Sequence, residues 1–213
     1  MAKEDRIISI VGCGPCSPDY LTPVAREVAG ATDVLVGTQR LLDLFPGVGG
    51  ERITVGAALD EVLDRVEKCS GSKRVAVLVT GDPGLHSLAR LVIERFGRDR
   101  CRVVPGISSV QTAFARLGVD WNDAVIISAH KQDPEPDPSW ARADKIAVLG
   151  GRANSLGWIA EKLLPMLEDR QVFVCEDLTL EDESVREVEA DKLSNLVCSS
   201  NTVVLILKRN LLK

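Results

Sequence analysis

ISIVGCGPCSPDYLT, residues 8 to 22, runs an apolar strand straight into a turn built of glycines, prolines and small residues. Gly12 and Gly14 remove side chains that would hold a ligand away from the backbone, while Pro15 and Pro18 fix the path of the chain. Thr22-Pro23 then has the form of a helix N-cap followed by proline at the first helical position. A strand, a ligand-sized gap and a helix therefore follow one another in a single short stretch.

The same alternation extends outward from it. Short β-rich runs are expected near Arg6 to Val11, Asp33 to Val36, Ile53 to Val55, Arg74 to Val79 and Cys101 to Val104. Between them, Pro23 to Ala31, Leu59 to Cys69, Ser87 to Phe96 and Ser109 to Leu117 carry apolar residues at spacings of three and four, the helical period. Near-continuous apolar strands joined by helical crossovers predict a mostly parallel sheet covered on both faces, with ligands at the carboxyl ends of its strands. After Gly118 the texture changes. A strand at Ala124 to Ser128 leads into the proline-rich segment Lys131 to Pro138, read as a surface loop. Beyond it come a strand at Lys145 to Leu149, a helix at Ser155 to Leu167, strands at Gln171 to Cys175 and Ser184 to Val188, and a closing strand at Thr202 to Lys208. Two successive strands without a long helix between them pair antiparallel, so the second sheet is expected to be mixed. The fold class is thus α/β with two lobes, residues 1–117 and 118–213.

Composition narrows the function. Hydrophobic residues make up 45% and charged residues 27% of the chain, the net charge is -5, and no apolar run approaches the ~20 residues that span a bilayer. A cytoplasmic protein is expected, with no membrane partner and without the basic stripe that tracks nucleic-acid phosphates. Of the six cysteines only Cys13 and Cys16 form a C-x-x-C pair, and no second pair or nearby histidine completes a zinc set. Small residues in a tight turn are the simpler reading, and no metal is expected.

Three loops leave strand ends in the same manner: Gly12-Cys13-Gly14-Pro15, Thr80-Gly81-Asp82-Pro83-Gly84 and Pro105-Gly106-Ile107-Ser108-Ser109. A dinucleotide site is disfavoured because Ser17 stands where a third glycine belongs, Pro18 interrupts the helix start, and Asp33 begins the second strand instead of ending it. Nor does a lysine follow any of the loops, as a P-loop requires. What they offer is backbone donors and acceptors, one carboxylate and two hydroxyls, which suits an adenosine joined to an amino acid without phosphate.

These residues resemble the tetrapyrrole methylases, which carry a glycine-proline loop after the first strand, a GDP loop and a loop of paired small hydroxyl residues. Here those are VGCGPCSPDYLT, TGDPGLHSLARL and VVPGISSVQTAFARLG. With VGTQRLLDLFP at 36 to 46 and ISAH at 127 to 130, the set looks like the branch that methylates the C-5 meso carbon of cobalt-precorrin-7, or precorrin-6Y, in corrin synthesis. It departs from the pattern at Cys16, where glycine is common, and at Lys131-Gln132, where the branch often has Gly-Arg.

The resemblance implies S-adenosylmethionine as cofactor, held by Pro15, Gly81, Asp82, Gly84, Leu85, Ser108 and Ser109 in the first lobe and by Ala129, Leu149 and Thr202 in the second. It also implies a homodimer, a tetrapyrrole substrate, and a separate C-15 methyltransferase and decarboxylase subunit, since the chain stops at Lys213. Asp82 and His130 are the candidate catalytic groups. Asp82 lies too far ahead of Ser87 to cap the next helix well, whereas Ser108 and Ser109 can both cap a helix and touch a ligand. His130 is a candidate proton acceptor or carboxylate partner, beside the plainer reading of a strand-end histidine; His86 has less to recommend it. Arg40 and Arg152 stand beside glycine-containing turns and are candidates for the carboxylates of the ring, against the reading of solvated surface arginines. Two alternatives stay open: a methyltransferase of the same fold acting on ribosomal RNA or a diphthamide precursor, and a non-catalytic tetrapyrrole-binding subunit.

Overall fold

The computed structural model describes residues 7–130, 132–152 and 154–212. The expected start of the first strand at Arg6, and Lys131, lie outside the described residues. The chain divides into two compact units, one ending at Ser108 and the other beginning at Ser109.

In the first unit β1 (Ile8–Gly12), β2 (Val34–Gly37), β3 (Glu51–Thr54), β4 (Val75–Val79) and β5 (Cys101–Val104) form one sheet in the order β3-β2-β4-β1-β5, every pair parallel. The crossovers are α1 (Pro23–Gly30), the short α2 (Gln39–Leu42), α3 (Leu59–Ser70) and α4 (Ala89–Phe96). Thr22 caps α1 as its sequence implied, its Oγ1 accepting from the Ala25 amide at 3.2 Å, with Pro23 in the first turn. Alternation along the strands divides the core in two. Ile8, Ile10, Val34, Val36, Val75 and Val77 pack with Leu63 and Val66 of α3 and Val92 and Phe96 of α4. Val11, Leu35, Ala76 and Leu78 pack with Ala25 and Ala29 of α1 and Leu41 and Leu42 of α2. Both faces are covered, which is why these strands read as unbroken apolar runs. Each such aliphatic side chain contributes about 1.5–3 kcal/mol on burial.

The second unit holds β6 (Val125–Ser128), β7 (Lys145–Leu149), β8 (Arg170–Glu176), β9 (Ser184–Val188) and β10 (Thr202–Lys208), ordered β6-β7-β10-β8-β9. Only β6 and β7 run parallel; the other pairs are antiparallel, giving the mixed sheet that the sequence implied. The division of the chain falls earlier than the expected Leu117, because α5 (Ser109–Leu117) packs on β10 and buries Val110, Ala113 and Phe114 with the second unit. The single helix expected over Ser155 to Leu167 is also corrected. It is α6 (Ser155–Trp158), then a π turn Ile159–Leu163 and a 3-10 turn Leu164–Met166. Pro165 explains the break: it has no amide to donate and its ring crowds the carbonyl one turn back. Trp158, Ile159 and Leu163 still reach the core, where Trp140 meets Trp158 edge-on with ring centroids 6.4 Å apart. Among the described residues no helix is long and apolar enough to cross a membrane.

Candidate cofactor and substrate site

The strand order of the first unit sets β4, β1 and β5 side by side, so the three glycine loops leave adjacent strands at one edge. Gly12 is level with Val79, and Val11 with Val104. Gly14 and Gly81 exchange backbone hydrogen bonds (3.3 and 2.8 Å), and the Cys13 amide donates to the Val79 carbonyl at 2.8 Å, which sews the first loop to the second. Gly14 and Gly81 both sit in the left-handed region, at φ +65 and +69. The third loop closes on both. A β-carbon on Gly12 would stand 2.6 Å from the Gly106 nitrogen, and one on Gly106 would stand 2.7 Å from the Gly12 carbonyl carbon and collide with the Gly81 oxygen. Asp82 completes the join: its Oδ1 accepts from the Gly84 amide at 2.8 Å and its Oδ2 from the Gly106 amide at 3.1 Å. Gly14, Asp82 and Gly106 thus belong to one interlocked rim, and Ser108 joins it, its Cα 3.7 Å from where a β-carbon on Gly81 would stand. Arg40, just beyond the carboxyl end of β2 and so beside β4, is exposed and has no hydrogen bond or ion pair among the described residues.

The second unit gathers its candidates in the same way. Register places Ser128, Leu149, Val203, Cys175 and Val185 in one row across the sheet. One step beyond that row the Ala129 amide donates to the Leu149 carbonyl and the Gly150 amide to the Thr202 carbonyl, both at 2.9 Å. His130 Nδ1 lies 2.9 Å from the Gly150 oxygen. A carbonyl only accepts, so Nδ1 carries the proton and Nε2 of the neutral ring keeps its lone pair. Arg152 is ion-paired with Asp133, and its Nε is buried without a partner. Ala129, His130, Leu149, Arg152 and Thr202 therefore share one edge of this sheet.

The family model for tetrapyrrole (corrin/porphyrin) methylases matches residues 8–194. The chain belongs to that family. Membership makes it a C-methyltransferase that uses S-adenosylmethionine. Among the tetrapyrrole methylases it is 30% identical over 204 residues to the cobalt-precorrin-7 C(5)-methyltransferase of Salmonella typhimurium, covering 95% of this chain and all of that one. A probable cobalt-precorrin-7 C(5)-methyltransferase of Methanocaldococcus jannaschii is 29% identical over 197 residues, covering 89% of this chain and 92% of the relative. The solved structure of the cobalamin biosynthesis precorrin-6Y methylase of Archaeoglobus fulgidus superposes with a TM-score of 0.73 at 27% identity, over 96% of this chain and 99% of that one.

The first rim fits the methylase cofactor chemically. Its three loops contain no lysine or arginine to neutralise a phosphate, and the Gly14, Gly81, Gly84 and Gly106 amides are already engaged within the rim. Pro15 and Gly81 are buried, Leu85 is half-buried, Gly84 is exposed, and the Ser108 side chain is nearly enclosed. Ser109 opens α5. Cys16 adopts φ +76, a conformation that glycine reaches at lower cost, and its Sγ lies 3.8 Å from Thr80 Oγ1. Burial, reinforced by the neighbouring Cys16, pushes the Cys13 thiol up to about 12. A thiol raised this far is a poor nucleophile at neutral pH. His86 is exposed on the turn before α4.

Sequence reasoning missed Asp177, Ser199 and Asn201, which hydrogen-bond to one another beside Thr202. No local pattern marks them, since the partners of Asp177 lie 22 and 24 residues along the chain.

Proposed function

We propose that the protein transfers the methyl group of S-adenosylmethionine to the C-5 meso carbon of cobalt-precorrin-7, or precorrin-6Y, during corrin synthesis. The interlock of Gly12, Gly14, Gly81, Asp82 and Gly106 is the observation that carries the cofactor part of this reading. The name borne by the full-length Salmonella relative supports the choice of acceptor. Bound S-adenosylmethionine supplies a methyl made electrophilic by its sulfonium, and an electron-rich tetrapyrrole supplies a nucleophilic carbon. The protein has then to hold the two in line and exclude water, and such positioning accounts for about 7–11 kcal/mol of barrier lowering.

Each residue takes a role that its surroundings allow. Pro15, Gly81, Gly84, Leu85, Ser108 and Ser109 bind the cofactor, as do Ala129, Leu149 and Thr202 in the second unit. Asp82, whose two carboxylate oxygens accept the Gly84 and Gly106 amides, shapes the cradle. His130 Nε2 accepts the proton released from the ring, while its Nδ1 proton is held by the Gly150 carbonyl. Arg40 meets a substrate carboxylate with its planar fork. Arg152 does the same by exchanging Asp133 for the ring. The protein works as a cytoplasmic homodimer and passes its product to a separate C-15 methyltransferase and decarboxylase.

Mass spectrometry after incubation with cobalt-precorrin-7 and S-adenosylmethionine should find one added methyl on the ring. Calorimetric titration should find binding of S-adenosylhomocysteine. An unmodified ring in the presence of bound cofactor would remove the acceptor, and absence of any binding would remove the enzyme.

A further inference from the structure

Asp177 follows Glu176, the last residue of β8 and the register partner of Thr202, and its backbone is in the left-handed region at φ +45. Its Oδ1 accepts two hydrogen bonds, from Ser199 Oγ at 2.8 Å and from Asn201 Nδ2 at 2.7 Å. The Asp177 amide donates in turn to the Asn201 carbonyl at 3.2 Å. Ser199 is also held by Glu176, whose Oε1 accepts the Ser199 amide at 2.8 Å, and the Ser199 hydroxyl accepts from the Asn201 amide at 3.2 Å. The last link reaches the candidate cofactor residue: Thr202 Oγ1 donates to the Ser199 carbonyl at 2.7 Å, while the Thr202 carbonyl receives the Gly150 amide. A β-carbon on Gly151 would collide with the Ser200 carbonyl, so this turn is packed from the β7 side as well.

The loop that leaves Asp177 is held at its far end too. Thr179, a β-branched residue at φ +71, donates its amide to Glu183 at 2.6 Å, and Glu183 receives both a 2.5 Å and a 2.9 Å hydrogen bond from Arg116. Left-handed backbone at a β-branched residue persists only where its surroundings over-determine it, and it concentrates at functional sites.

We propose that Asp177 is a positioning residue for methyl-donor binding: through Ser199 and Asn201 it fixes the turn that carries Thr202 to the carboxyl edge of the second sheet. This rests on the reading of Thr202 as a cofactor residue. The function of Asp177 depends on one oxygen with two acceptor lobes and not on its charge. Asparagine retains that oxygen and tolerates the left-handed backbone, whereas alanine retains neither property.

Asp177→Ala should raise both the KM for S-adenosylmethionine and the Kd for S-adenosylhomocysteine about tenfold, with kcat at saturating cofactor within about twofold of wild type. In Asp177→Asn both constants should stay within about twofold of wild type. Ser199→Ala and Asn201→Ala each remove one of the two bonds, and should fall between these limits even where Asp177→Ala fails to fold. A folded Asp177→Ala protein with unchanged Kd overturns the proposal. So does an Asp177→Asn protein as impaired as the alanine variant, since the charge would then be acting directly. Failure of the wild type to bind S-adenosylhomocysteine would strike the cofactor reading itself, so the two failures are told apart.

Discussion

At the scale of single residues, the glycines of the three loops do something other than their sequence suggested. Gly12 and Gly14 were read as openings toward a ligand, but Gly12 and Gly106 first open toward each other, since an added β-carbon on either would strike backbone of the neighbouring loop. Gly106→Ala should therefore destabilise the protein by about 3 kcal/mol and weaken S-adenosylhomocysteine binding. Gly47→Ala is the control. Nothing lies within 4 Å of a β-carbon there, and it should change stability by less than about 0.5 kcal/mol. Urea midpoints compare the two, and a wild-type midpoint for Gly106→Ala would refute the interlock. Asp82 teaches the same lesson. Its place in a GDP turn was legible, but its bond to the Gly106 amide, 24 residues away, was not, because hydrogen bonds between loops leave no trace in local spacing.

Elements were legible where periodicity spoke and illegible where neighbours decided. β8 and β9 were expected to pair antiparallel, and they do, while α5 was assigned to the wrong unit because its apolar face says that it packs but not on which sheet. The β8–β9 connection carries a pH prediction. The Arg116 hydrogen bond, aided by the Thr179 amide and opposed by burial, holds the Glu183 carboxyl below its ordinary value of 4.5. A carboxyl lowered in the folded state contributes stability that is fully present above the unfolded value and is lost as pH falls through the folded one. Glu183→Gln should be less stable than wild type at neutral pH, and the gap should close below pH 4.5. Urea midpoints followed from pH ~7 to ~3 would show it, and a gap that stays constant throughout would mean that the Arg116 contact stabilises nothing.

For the whole molecule, binding and stability are linked. A ligand that binds only the folded chain, supplied at about 100 times its Kd, adds about 2.7 kcal/mol to unfolding, a rise in Tm of roughly 5–10 °C for a chain of this length. Scanning calorimetry with S-adenosylhomocysteine should find that shift, and a Tm indifferent to saturating ligand would contradict the cofactor assignment. The sequence by itself determined the strands and most of the helices, though not the short α2 or the break after Trp158, and what chemistry each loop can offer, because hydrophobic period, caps, glycine and proline act within a few residues of where they stand. Only the tertiary structure decided the order β3-β2-β4-β1-β5, and with it the meeting of residues 12–15, 80–84 and 105–109 at one edge. It likewise spent Asp82 and Asp177 on holding turns in place. Strand order and loop closure depend on which distant surfaces bury each other, and each strand alone is equally apolar whichever neighbour it finds.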